Sequence, residues 1–92
     1  MMHEVKLGDF VAQSHPVENI FLKKGIVIES LDTSFVVQWL TYNKKFFMDY
    51  QDEVFGELNK RYLLTKMSYH RENRNADIVI LNKAGENGLG NP

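Results

Sequence analysis

The sequence predicts a small, mainly β domain, and three observations carry that prediction. Gly25 to Glu29 and Ser34 to Leu40 are short runs of β-branched and aromatic residues, the composition that fits a pleated, half-buried surface. Ser30-Leu31-Asp32-Thr33, which separates them, is a turn of hairpin length. The chain has 92 residues, no cysteine, and 43% apolar residues including six Phe, four Tyr and one Trp. A core of ordinary density, held by packing alone, is therefore within reach of a single domain.

Taken in order, Val5 to Gln13 reads as a short strand with a bend or bulge at Gly8-Asp9. Val5, Leu7 and Val11 are its apolar positions, and Phe10 falls on the opposite side. Ser14 to Asn19 is a loop by residue type, with Pro16 holding His15 extended. The hairpin of the two strong strands follows. Thr41 to Lys45 then turns the chain onto a third meander strand, Phe46 to Tyr50. From Gln51 onward Val54, Phe55, Leu58 and Tyr62 fit a helical stripe with Asp52 as N-cap. Gly56 costs a long helix about 1 kcal/mol relative to alanine, so the preferred reading is one helical turn around Glu53 to Leu58. A strand over Tyr62 to Tyr69 follows it. Beyond the polar connector 70–75, Asp77 to Leu81 is one more strand-like run, and 83–92 is a Gly- and Asn-rich tail expected to be flexible. The expected organisation is a barrel over 1–69 and a C-terminal extension or arm over 70–92, with an extra strand at 77–81.

Composition narrows the function classes. The absence of cysteine excludes disulfides, thiolate catalysis and cysteine-ligated zinc, and mildly favours a reducing compartment. Met1 to Lys6 has no apolar core of a signal peptide, and no apolar run approaches the roughly 20 residues that span a bilayer; no membrane partner is expected. His3, His15 and His70 are isolated from one another and from ligand-spaced carboxylates. Asp52-Glu53 and Ser14-His15 are merely adjacent, and Gly85, Gly88 and Gly90 lack the context of a phosphate loop. The reading is a non-enzyme with no catalytic residue, no metal site and no cofactor.

Two binding surfaces are legible. The formal net charge is −1, so no global field draws the chain to polyanions. Locally, however, an acidic stretch (Asp49, Asp52, Glu53, Glu57) precedes a basic–aromatic one. Lys60, Arg61, Tyr62, Lys66, Tyr69, Arg71 and Arg74 mix cations and rings as a nucleic-acid surface does. The adjoining acids and the net charge weigh against that reading, and it stands second. First is protein interaction. With Val27, Phe35, Val37 and Trp39 facing the core, Ile26, Ile28, Val36 and Leu40 lie on a second face where a wetted sheet would carry polar residues. Ile78, Val79, Ile80 and Leu81 add apolar surface. That run either folds back over the second face within the chain, or pairs with a neighbouring subunit in a homo- or hetero-oligomer.

The order of these segments resembles a known family. Leu7-Gly8-Asp9-Phe10-Val11, then Gly25 to Glu29, then Phe35-Val36-Val37-Gln38-Trp39, then Glu57-Leu58 leading to Tyr62-Leu63, is similar to the small Src-homology-3-like barrels, KOW- and Tudor-type modules included. The likeness covers residues 5 to 68. It implies a five-stranded barrel with one helical turn, to which the C-terminal extension is added. It looks especially like the compact barrels encoded by tailed bacteriophages, a resemblance that implies a virion structural or accessory protein, located in the virion or the host cytoplasm. Two features of the relatives are missing: the basic pattern of a KOW motif around Gly25, and an evident aromatic cage, to which Tyr42, Phe46 and Tyr50 are the available contributors.

Overall fold

The structure, a computed structural model, describes residues 4–47, 61–73 and 76–84. Five strands form one antiparallel sheet: β1 (Phe10–Ser14), β2 (Phe21–Ser30), β3 (Ser34–Tyr42), β4 (Lys66–His70) and β5 (Ile78–Asn82). Their order across the sheet is β4-β3-β2-β1-β5. The first four are a meander, and β5 returns to the free side of β1. Strands β4 and β5 are the two edges, so the sheet is not closed by hydrogen bonds.

The predicted hairpin is present, and both of its strands are longer than predicted. Its partners include Val27 opposite Val37 and Gly25 opposite Trp39, with register shifts between Lys24 and Gly25 and between Val27 and Glu29. Gly25 is required by the first of these irregularities: a Cβ there would collide with the backbone of Gln38 and lie 2.9 Å from Trp39 Cα. The alternation along β3 is what the sequence implies, Phe35, Val37 and Trp39 being fully buried. They join Val5, Val11, Val27, Tyr69, Ala76 and Ile78 in one core, with Met67 and Ile80 packed against it. Within it Trp39 Nε1 donates to Tyr69 Oη at 3.0 Å, so the two polar atoms of this apolar cluster satisfy each other.

The N-terminal segment differs from its prediction. Val5 is in the core, but the chain turns at Gly8, which has φ +89°, and the strand begins only at Phe10. Asp9 makes that turn and more. Its buried carboxylate accepts from Lys6 N (2.9 Å) and from Ala84 N (2.8 Å), with Lys83 Nζ 3.5 Å away. The end of β5 is thereby fastened to the start of β1.

Three further expectations change. The third meander strand over Phe46 to Tyr50 does not form where the chain is described: residues 44–47 are a turn. Asn43 makes it, its Oδ1 accepting from Lys45 N at 3.0 Å and Phe46 N at 3.2 Å. The strand expected over Tyr62 to Tyr69 starts later, because residues 61–63 are helical and Leu63 is buried there. The helical turn expected at Glu53 to Leu58 lies outside the described residues. Finally, the run at 77–81 is not appended to the fold. As β5 it pairs with β1, Ile80 opposite Val11 and Val79 opposite Ala12, and Ile78 is part of the core. Asp77 enters it at φ +53° and its carbonyl accepts from Ser14 N at 2.8 Å.

Candidate functional site

The outer face of the sheet follows directly from strand alternation. Once Val11, Val27, Val37 and Trp39 face inward, their neighbours must face outward. Phe10 pairs with Ile26, and Ile26 with Gln38. Val36 lies on the same side of β3, opposite Ser68 of β4. Ile28 sits in the bulge of β2, where it is skipped by the register. Accessibility separates these side chains. Ile28 is 41% exposed, Leu40 52% and Val79 38%, whereas Ile26, Val36 and Leu81 are half-buried. Gln38 uses its amide within the chain, donating to Leu64 O at 2.7 Å and Trp39 O at 3.1 Å. The face therefore carries apolar side chains from β5 across to β3, interrupted by Lys24 and Glu29 on β2 and by Gln38 and Thr41 on β3, and turns polar on β4, with Lys66 and Ser68.

Of the eight residues predicted as a protein interface, the structure brings Ile26, Ile28, Val36, Leu40 and Val79 together on this face, with Leu81 half-buried at the β1–β5 irregularity. Ile78 and Ile80 are not on it; they pack into the core and against it.

The basic–aromatic stretch does not assemble as one surface. Arg61, Tyr62 and Lys66 are exposed. Tyr69 and Arg71 are buried and tied into the fold. Tyr69 donates to Met67 Sδ at 3.5 Å while accepting from Trp39. The Arg71 guanidinium donates to Val5 O (2.8 Å), Leu31 O (2.9 Å) and Ser30 Oγ (2.7 Å) and lies 5.5 Å from the Phe35 ring centre. That fork closes one end of the core over a 250 Å³ hollow at Leu31 and Asp32. Lys60 and Arg74 lie outside the described residues.

One buried cation was not singled out by the sequence. The Lys23 ammonium lies 5.0 Å from the Trp39 ring centre and donates to Met67 Sδ at 3.7 Å. Burial pushes its pKa below the ordinary 10.5. Burial likewise raises the Tyr69 phenol above 10.0, with the Trp39 hydrogen bond acting against it. His15 serves its own loop, Nδ1 accepting from Val17 N (3.1 Å) and Glu18 N (2.8 Å).

Among the described residues no three His, Asp or Glu side chains are grouped as a metal site, and no helix is long and apolar enough to cross a membrane. Compared with known proteins, the chain matches no family model, no curated protein and no solved structure.

Proposed function

We propose that this chain is a non-enzymatic protein-interaction module, a Src-homology-3-like barrel that packs its outer face on neighbouring subunits, beginning with copies of itself. The observation that carries the proposal is the exposure of Ile28, Leu40 and Val79 on one sheet face, beside the half-buried Ile26 and Val36. Sheets with one solvated face alternate apolar with polar residues, and a soluble monomer rarely leaves such a strip uncovered. The barrel reading is supported by the meander of β1 to β4, the helical residues 61–63 before β4, and the return of β5 beside β1. On that reading β5 is the fifth barrel strand, in place of the segment at 46–50. The virion placement rests on the resemblance of the Gly8-Asp9, Gly25 and Trp39 segments to phage-encoded barrels.

Light scattering across a concentration series tests it. The wild-type chain is expected to exceed its monomer mass of 10.7 kDa, and a double substitution Ile28→Glu and Leu40→Glu to return it to that mass. A chain that stays monomeric up to millimolar concentration overturns the proposal.

A further inference from the structure

Two segments distant in sequence, 14–24 and 41–47, meet at one end of the sheet. Lys24 pairs with Thr41 and Lys23 with Tyr42. Asn43 N donates to Leu22 O at 2.8 Å and Asn43 Nδ2 to Phe21 O at 3.4 Å. The His15 ring meets Phe46 edge-on at 5.3 Å. These segments together hold four lysines (23, 24, 44, 45) and four aromatic residues (21, 42, 46, 47) against a single carboxylate, Glu18.

The rings are fixed and accessible at once. Tyr42 meets Phe47 edge-on at 6.0 Å, and Phe47 meets Phe46 at 5.0 Å, while the Asn43 side chain holds the turn beneath them. Phe21 is nevertheless 42% exposed and Phe46 44%. Lys24 reaches over Phe21, its ammonium 5.9 Å from the ring centre. Neither Lys24 nor Lys45 has a carboxylate partner among the described residues. A 190 Å³ cleft opens between Phe21, Lys24, Thr41 and Tyr42, too small for a drug-sized ligand and suited to one planar ring.

We propose that this end of the sheet binds single-stranded nucleic acid, with bases stacked on Phe21 and Phe46 and phosphates held by Lys24 and Lys45. Exposed π-faces beside cations are what single strands recognise without sequence readout. An acidic protein segment would use the lysines but gain nothing specific from the open ring faces. A duplex would need a broader basic face than two or three lysines provide. The surface borders the outer-face residues Leu40 and Val79, because Lys24 pairs with Thr41 on one side and with Ala12, the partner of Val79, on the other. The Ile28 and Leu40 substitutions that test self-association leave Phe21, Lys24, Lys45 and Phe46 in place, so the two readings fail separately.

Fluorescence anisotropy of labelled oligo-dT and oligo-U twelve-mers, titrated with the full chain at low salt, tests this. Saturable binding is expected, with the two oligonucleotides separating DNA from RNA as the natural source. Substituting Lys24→Gln and Lys45→Gln is expected to reduce the log–log salt slope by about 1.4, at roughly 0.7 per phosphate contact for single strands. Phe21→Leu and Phe46→Leu, which keep apolar volume and remove the ring, are expected to weaken binding about fivefold or more each. Lys66→Gln, on a different part of the sheet, should change neither. No anisotropy change at millimolar protein overturns the proposal, as does a salt slope unaltered in the lysine variant. Displacement by a poly-glutamate peptide with Phe46→Leu binding as wild type also overturns it, and assigns the patch to an acidic protein segment. Unchanged melting temperatures in all variants are the control for folding.

Discussion

Lys23 is the residue most at odds with its surroundings. Its ammonium is buried with a ring face and a thioether sulfur for company, and neither replaces the hydration it loses. A cation–π contact contributes about 0.5–2 kcal/mol, and sulfur is a weak acceptor. The lowered pKa of Lys23 says that desolvation wins. The sign of the pH effect follows. The unfolded chain holds this proton more tightly than the folded one, so wild-type stability rises with pH between the depressed folded value and 10.5. Tyr69 acts oppositely, its raised pKa costing stability only above about 10.0. Lys23→Met fills the same space and keeps contact with the Trp39 ring. It is expected to melt higher than wild type at pH 7, and the gap is expected to narrow as pH approaches 10. Thermal melts of the pair at several pH values below 10 check this; a variant that melts lower at pH 7 would show that ring and sulfur outweigh desolvation. Arg71 is the contrasting case, a buried cation whose fork finds three oxygen acceptors and which therefore strengthens the fold.

Strand β5 shows how an element's place changes what its removal does. Ile78 fills the core, Ile80 packs against it, and Asp9 fastens the following residues to the β1 end. Losing a buried isoleucine side chain costs about 2–5 kcal/mol, and two of them approach the whole stability of a domain this small. A chain ending at Ala76 is therefore expected to lose its cooperative melting transition and its dispersed amide spectrum. A wild-type transition in the truncated chain would return β5 to the status of a detachable arm. The sequence made the existence of this strand readable, since Asp77 to Leu81 is β-branched and apolar, and placed it within one residue of its observed position. Its partner was not readable, because pairing with β1 depends on contacts some 70 residues apart. The hairpin of β2 and β3 was readable for the converse reason: turn and alternation are both local. The turn at Thr41 to Lys45 was legible too, but not how far it runs. An Asn before Lys44-Lys45 marks a turn that continues through Phe46 and Phe47, whereas the aromatic content alone suggested a strand. The apolar outer face followed from alternation in the sequence, but the basic–aromatic end did not. Its lysines and rings come from segments some 20 residues apart that only the β2–β3 register brings together.

At the scale of the whole molecule, one sheet must supply both a core and a surface. The inward side chains of all five strands make a single core, and outward ones such as Ile28, Leu40 and Val79 stay in contact with solvent. Covering them with a second copy would add apolar burial that the isolated chain lacks, at about 25 cal/mol per Å². Association would then be linked to folding, because the partner binds the folded chain and not the unfolded one. The expected consequence is a melting temperature that rises with protein concentration, by about 5 °C or more over a hundredfold range for a domain of this size. Ile28→Glu with Leu40→Glu is expected to abolish the concentration dependence while leaving the low-concentration midpoint near that of the wild type, since both side chains already stand in water there. Scanning calorimetry of both proteins at two concentrations makes the comparison. A midpoint independent of concentration in the wild type would mean that no copy covers the outer face. A variant that melts lower even when dilute would mean that Ile28 and Leu40 support the fold of their own chain.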